Sequence, residues 1–312
     1  MARSDGDAWD LATSVGATAV MVAASRARAH RAGLIDDRFA EPLVCAVDVD
    51  FFTRWATGEL NPVDVDSPDQ SWGMQSMTEL LTARTRYFDD FYMNAVHSRG
   101  IRQAVILASG LDARSYRLDW PEFTVVYEID QPEVLAFKAA TLTAIGAQPR
   151  ADVRPLPVDL RQDWQTALLN AGFDPDLPSA WLAEGLLGYL PPEAQDDLFD
   201  RITTSSPPGS RLAAEVFIPP AQPVEERADE LAKTTNNRWA ALGFDLDISG
   251  LFYLQDRVDA AEYLESKGWD TTRTAFDELL AVHGFTSRKA GATTGGGGGN
   301  YYCTATLRQS PT

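Results

Sequence analysis

An apolar run that stops at Gly110, followed twenty residues later by a second run that stops at Asp130, constrains this chain more than any other feature. The first reads Ala104–Val105–Ile106–Leu107–Ala108–Ser109–Gly110 and the second Val125–Val126–Tyr127–Glu128–Ile129–Asp130. A strand, a glycine turn, a helix and a second strand ending in a carboxylate form the layout of a nucleotide site. The glycine lets a cofactor approach the backbone, and the acid reaches the ribose hydroxyls. The competing reading is a turn glycine followed by an ordinary aspartate at a strand end.

The rest of the chain fits the same layout. From residue 101 apolar runs alternate with helical patterns: strands at Val105–Leu107, Thr124–Ile129, Val153–Val158, Ala180–Ala183 and Arg211–Ile218, with helices at Pro132–Ile145, Trp164–Ala171 and Glu193–Thr203 between them. Such βαβ alternation predicts an α/β doubly wound fold, a parallel sheet between layers of helices. Alanine-rich and amphipathic segments from Trp9 to His97 precede the first strand and predict an N-terminal helical cap over residues 1–100. The core then covers 101–312. After Pro219–Pro220 the alternation breaks, so 219–257 reads as a helical insertion, a lid over the carboxyl edge of the sheet. Its charged stretch Ala221–Arg238 offers few apolar anchors. Trp269–Ala275 and Tyr301–Leu307 are the last strand candidates. The Gly295–Gly299 run precedes a strand and opens no helix, so it reads as a loop and not as a phosphate cradle.

Composition narrows the partners. The formal net charge is -18, which repels phosphate backbones and anionic lipid surfaces, so neither nucleic acid nor membrane is expected as a partner. The polar, acidic start Met1–Asp7 has no signal-peptide character, Cys45 and Cys303 form no paired motif, and the longest small-residue apolar stretch, Ala17–Ala24, is too short to span a bilayer. A cytoplasmic enzyme without disulfides or bound metal is expected.

Four ordered motifs carry a family resemblance: Arg84–Thr85–Arg86–Tyr87–Phe88–Asp89–Asp90, Ala108–Ser109–Gly110–Leu111–Asp112–Ala113–Arg114, Tyr127–Glu128–Ile129–Asp130–Gln131–Pro132 and Trp181–Leu182–Ala183–Glu184–Gly185–Leu186–Leu187–Gly188–Tyr189–Leu190. Together they resemble the leucine carboxyl methyltransferase family, most closely its actinobacterial, mycobacterial-type branch of S-adenosylmethionine-dependent methyltransferases. The resemblance implies a class I methyltransferase fold, Rossmann-like, with seven strands of which the last is antiparallel. One departure is Ala108, where many methyltransferases carry a glycine, which leaves the close approach mainly to Gly110.

The same resemblance supplies roles. Asp130 would accept both ribose hydroxyls, against the alternative of an N-cap before Pro132. Asp159 would accept from the adenine amino group while the Leu160 backbone N–H donates to the ring; the alternative is a cap for the helix near Gln162–Asp163. Arg86, by its place in the motif, would pair with the methionine carboxylate, with Arg84 as the fallback and a solvated or Asp89/Asp90-paired surface arginine as the alternative. Glu184 would hold the cofactor's ammonium or orient the acceptor, and Tyr189 would line the acceptor pocket; capping and simple packing are their alternatives.

His30, His97 and His283 show no metal or triad spacing, and no Walker or nucleophile-elbow sequence is present. The expected function is therefore S-adenosylmethionine-dependent O-methylation, with a carboxylate of a small or peptidic acceptor as the leading class. A nicotinamide-dependent oxidoreductase and a non-catalytic cofactor-binding module are the rivals.

Overall fold

The computed structural model describes residues 14–67, 73–218, 226–245, 251–253, 255–285 and 300–309. The Gly295–Gly299 run and the first thirteen residues lie outside these, as does part of the 219–257 insertion. Seven strands form one sheet: β1 Gln103–Leu107, β2 Val125–Asp130, β3 Asp152–Pro157, β4 Ser179–Ala183, β5 Arg211–Val216, β6 Trp269–Ala275 and β7 Tyr301–Leu307, in the order β3-β2-β1-β4-β5-β7-β6. Strands β1 to β5 pair in parallel, and β7 runs antiparallel between β5 and β6.

Side-chain alternation explains the layers. Val105 and Leu107 of β1 join one core cluster with Trp181, Trp164 and Phe199, while Ala104 and Ile106 join another with Phe88, Phe91 and Tyr302. Both faces of β1 and β4 are buried, so these strands read as continuous apolar runs. Pro155 and Pro157 sit in β3, an edge strand whose only partner among the described residues is β2; an edge tolerates residues that cannot donate. The long helix Met74–Met93 covers the second face, and its buried Leu81, Arg84, Phe88 and Phe91 follow helical spacing.

A third cluster belongs to the N-terminal helices Ser14–Arg31, Ala40–Val47 and Asp50–Thr57, centred on Phe51, Phe52 and Trp55. The helix Glu226–Ala241 of the insertion docks here. Trp239 is buried in this cluster and its indole N–H donates to Val65 O at 2.7 Å, and Phe244 stacks on Phe51 at 5.4 Å. Apolar anchors are thus present just beyond the charged stretch in which few were expected, because Trp239 and Phe244 follow it directly. Among the described residues no helix is long and apolar enough to cross a membrane.

Truncating a buried tryptophan typically costs about 3–5 kcal/mol. Trp239→Ala should therefore speed amide hydrogen exchange over 226–241 markedly while leaving β1 and β4 protected. Equal protection of that helix in the variant would show that Trp239 is not its anchor.

Candidate functional site

The order β2-β1-β4-β5 puts the reversal of strand order between β1 and β4. In open α/β sheets a crevice outside the carboxyl ends of the strands opens at such a point. The turn after β1 stands on one side of it and the β4 end, Glu184 and Gly185, on the other. The turn is left-handed at Ala108 (φ 51°) and at Gly110 (φ 47°). Alanine in that region costs about 1–2 kcal/mol, so the surrounding contacts must impose the conformation.

Asp130 ends β2 facing this turn. Its Oδ2 accepts from Gly110 N at 2.6 Å and its Oδ1 from Gln131 N at 2.7 Å. Burial raises its pKa, and the two backbone N–H groups and the Lys138 charge offset that only in part. Each carboxylate oxygen has a second lone pair, so two acceptor positions remain for a ligand. Gln131 links Asp130 to the next acid, its side-chain amide donating to Asp159 Oδ2 at 2.6 Å. Arg161 also holds Asp159, through its backbone N at 2.8 Å and its guanidinium Nη2 at 2.5 Å. Burial raises the Asp159 pKa, but these hydrogen bonds outweigh it and the net shift is downward. The helix Trp164–Asn170 is capped by Asp163, whose side chain accepts from Thr166 N, and not by Asp159. Leu160 packs, half-buried, against the core cluster under β1 and β2.

On the other side of the crevice Glu184 receives two guanidinium groups, Arg84 Nε at 2.8 Å and Arg114 Nη1 at 2.6 Å. Arg84 Nη1 reaches Glu215 Oε2 on β5 at 2.7 Å, and that oxygen also accepts from Gly185 N at 3.0 Å. Arg114 pairs further with Asp112 and with Asp89 at 2.7 Å, and Arg117 reaches Asp89 at 2.6 Å. Three guanidinium groups thus face four carboxylates. Burial alone would lower the Arg84 pKa, but Glu215 and Glu184 raise it above its ordinary value, so it stays charged; burial raises Glu215, with Arg84 offsetting only part. Partial burial raises the Asp112 pKa, yet Arg114, Arg26 and Lys138 bring it down to about 2.

Tyr189 stacks on Phe252 at 4.7 Å, and Phe252 stacks on Phe217 at 5.1 Å. The tail of the insertion is fastened here by Tyr253 N donating to Gly188 O at 2.9 Å and by Arg257 donating to Leu187 O and Leu190 O. A Cβ on Gly188 would lie 2.7 Å from the Phe252 ring, so the glycine permits this contact.

The structure therefore brings Gly110, Asp130 and Asp159 together on one side of the crevice and Glu184 with Tyr189 on the other. Arg86 is placed elsewhere. Its Nε donates to Leu34 O at 2.9 Å, its Nη2 also donates to Leu34 O, and its Nη1 lies 3.3 Å from His283 Nδ1. Two residues along a helix turn the side chain by about 200°, so Arg84 faces Glu184 and Arg86 cannot. Glu215, Arg114 and Asp112 carry no role in the sequence reading, although a glutamate within the apolar run Leu212–Val216 was a visible signal. Among the described residues no three histidine, cysteine or acidic side chains group as a metal site.

A seven-stranded sheet of this order, with a glycine turn after β1 and an acid ending β2, is a class I methyltransferase fold. The leucine carboxyl methyltransferase family model matches residues 19–203, and the chain belongs to that family. A relative from Mycolicibacterium paratuberculosis, named "Putative S-adenosyl-L-methionine-dependent methyltransferase", is 55% identical over 312 residues, covering 99% of this chain and 100% of its own. One of the same description from Mycobacterium tuberculosis is 57% identical over 285 residues, 91% of this chain and 92% of its own. Among solved structures, a DUF574 family protein from Streptomyces avermitilis aligns with a TM-score of 0.49 and 17% identity, over 77% of this chain and 87% of that one.

The depressed Asp112 pKa has a consequence for stability. A carboxylate whose pKa falls from 3.8 to about 2 on folding contributes roughly 2 kcal/mol above pH 4, lost as pH drops toward 2. Asp112→Asn should therefore flatten the dependence of the urea midpoint on pH between 5 and 2. A slope as steep as wild type would place the acid sensitivity in other carboxylates.

Proposed function

We propose that this chain, an S-adenosylmethionine-dependent methyltransferase by its family, acts in the cytoplasm and methylates an oxygen of a small-molecule or peptide acceptor, with a carboxylate as the leading class. The observation that carries the cofactor reading is the Asp130 carboxylate held against Gly110 N at the switch point of the sheet. The arrangement of charges fits the same group. The buried network holds one more carboxylate than guanidinium, and the cofactor is a zwitterionic amino acid joined to a sulfonium, so its net charge is +1. Arg114 Nη2 is buried without a hydrogen-bond partner among the described residues, a donor suited to a ligand oxygen.

In this reading Asp130 holds the ribose hydroxyls, and Asp159 with Leu160 N–H recognises the adenine. Glu184 takes the ammonium, and Arg84 replaces Arg86 as the guanidinium for the carboxylate. A guanidinium suits that task because it stays charged and binds carboxylates in two-point geometry. The bound cofactor supplies an electrophilic methyl group, which leaves the protein to align the acceptor and exclude water. A carboxylate acceptor needs no general base, which agrees with where the histidines stand. His30 lies against Ile35 O, His97 against Asp119 O and His283 against Arg86.

Tyr189, in its stack with Phe252 and Phe217, is the proposed wall of the acceptor pocket. The helical cap, residues 1–100, and the 219–257 insertion are proposed to close over it as a lid, supported by the docking of Trp239 on the cap and of Tyr253 on Gly188. The family match gives no support to a nicotinamide oxidoreductase or to a non-catalytic module.

Calorimetric titration tests the cofactor roles. Asp130→Ala should weaken S-adenosylhomocysteine binding by about 1.5–3 kcal/mol, the range for hydrogen bonds to a charged group. Arg84→Lys should weaken S-adenosylhomocysteine more than adenosine, which lacks the carboxylate, whereas Arg86→Leu should affect the two alike. A selective loss in Arg86→Leu with none in Arg84→Lys would return the clamp to Arg86.

A further inference from the structure

Lys138 is buried, and its ammonium is committed to two groups: Glu128 Oε2 at 2.8 Å and Ser109 Oγ at 3.2 Å. Glu128 is buried in the middle of β2, and its other oxygen accepts from the Ser115 hydroxyl at 2.5 Å. Ser109 lies between the two left-handed residues, Ala108 and Gly110, whose conformation the turn does not adopt at no cost. Its backbone is fixed as well, with Ser109 N donating to Ile129 O at 3.0 Å and Ser109 O accepting from Asp112 N at 2.8 Å. One side chain thus ties the helix Pro132–Ala144, strand β2 and the turn after β1 together directly beneath the Gly110–Asp130 contact.

A buried ion pair is a poor source of stability, since the cost of desolvating both charges consumes most of their attraction. An apolar pair would fill the same space at lower cost. What it would not supply is a donor for Ser109.

We propose that the Glu128–Lys138 pair is a positioning device for the cofactor: Lys138 grips Ser109 and so holds the Ala108–Gly110 turn in the conformation that presents Gly110 N and Asp130 to the ribose. The proposal rests on the cofactor reading above and adds residues that touch no ligand. Ser109 is the link, Lys138 the grip, and Glu128 with Ser115 keep the ammonium aimed.

The test measures S-adenosylhomocysteine affinity by calorimetry alongside thermal unfolding, for wild type, Ser109→Ala, Ser109→Thr and the double variant Glu128→Gln, Lys138→Met. The double variant removes both charges together and leaves neither buried alone. Ser109→Ala should lose affinity by roughly two- to tenfold, the scale of one hydrogen bond, while its melting temperature stays near wild type. Ser109→Thr, which keeps the hydroxyl, should recover most of that affinity, a rescue that a purely structural role would not require. The double variant should bind at least as weakly as Ser109→Ala. Affinities equal to wild type in Ser109→Ala and in a folded double variant would overturn the proposal, and if the double variant does not fold the serine pair decides alone. Failure of wild type itself to bind would overturn the cofactor reading first, a result distinct from a wild type that binds and variants that bind equally well.

Discussion

The structure around the crevice depends on Glu184 and the two arginines that meet on it. Arg84 comes from the helix Met74–Met93, Arg114 from the turn region after β1, and Glu184 from the end of β4. Three segments distant in sequence therefore share one carboxylate. Glu215 on one flank and Asp112 with Asp89 on the other extend the network across β5 and back to the helix. Removing one partner of a buried pair leaves an uncompensated charge, at about 3–5 kcal/mol, although the intact pair adds little net stability. The network thus restricts geometry far more than it stabilises: alternatives in which the helix slides or the turn opens would strand a charge away from water.

That constraint explains how a strained turn persists beside the sheet. Ala108 is held left-handed by contacts on both sides, the hydrogen bonds of Ser109 and Gly110 toward β2 and the ion pairs of Asp112 and Arg114 toward β4. The helical cap takes part through Arg26, which pairs with Asp37 at 2.8 Å and donates to Leu111 O at 2.7 Å. The cap is therefore coupled to the turn by polar contacts as well as by the apolar cluster around Trp55 that Leu111 joins.

The sheet was legible because its strands are short apolar runs between helical patterns, and the meeting of Gly110 with Asp130 because a glycine turn and a strand-end acid have a characteristic spacing. Which of Arg84 and Arg86 pairs with Glu184 was not settled by the motif that contains both. The helical stripe Leu81, Arg84, Phe88, Phe91 held the missing information, since a charge on an apolar face must find a buried partner. Lys138 repeats the pattern on the stripe Leu135, Lys138, Leu142, as do Glu128 within β2 and Glu215 within β5. What the sequence withheld was the pairing. Which buried carboxylate meets which buried cation depends on strand order, and the order β2-β1-β4-β5 is fixed by packing across the whole sheet. The docking of Trp239 on the cap is hidden for the same reason, because its partners Phe51 and Val65 lie more than a hundred residues away.

Concentrating charge at one edge also shapes what the crevice accepts. Apart from Arg114 Nη2, most of its charged atoms already have protein partners, so an entering ligand must supply groups that replace or extend those contacts, or lose the energy of desolvating them. A hydrocarbon cannot do so, and a simple anion meets an excess of carboxylate. In the proposed reading, a ligand carrying an ammonium, a carboxylate and a ribose would engage Glu184, Arg84 and Asp130 while leaving the arginine–carboxylate pairs in place. The proposed acceptor wall is different in kind: Tyr189, Phe252 and Phe217 offer stacked ring faces. Under the proposed roles, cofactor selection is electrostatic and acceptor selection largely a matter of shape, so charged residues in apolar stripes bear on the first and no comparable sequence signal bears on the second.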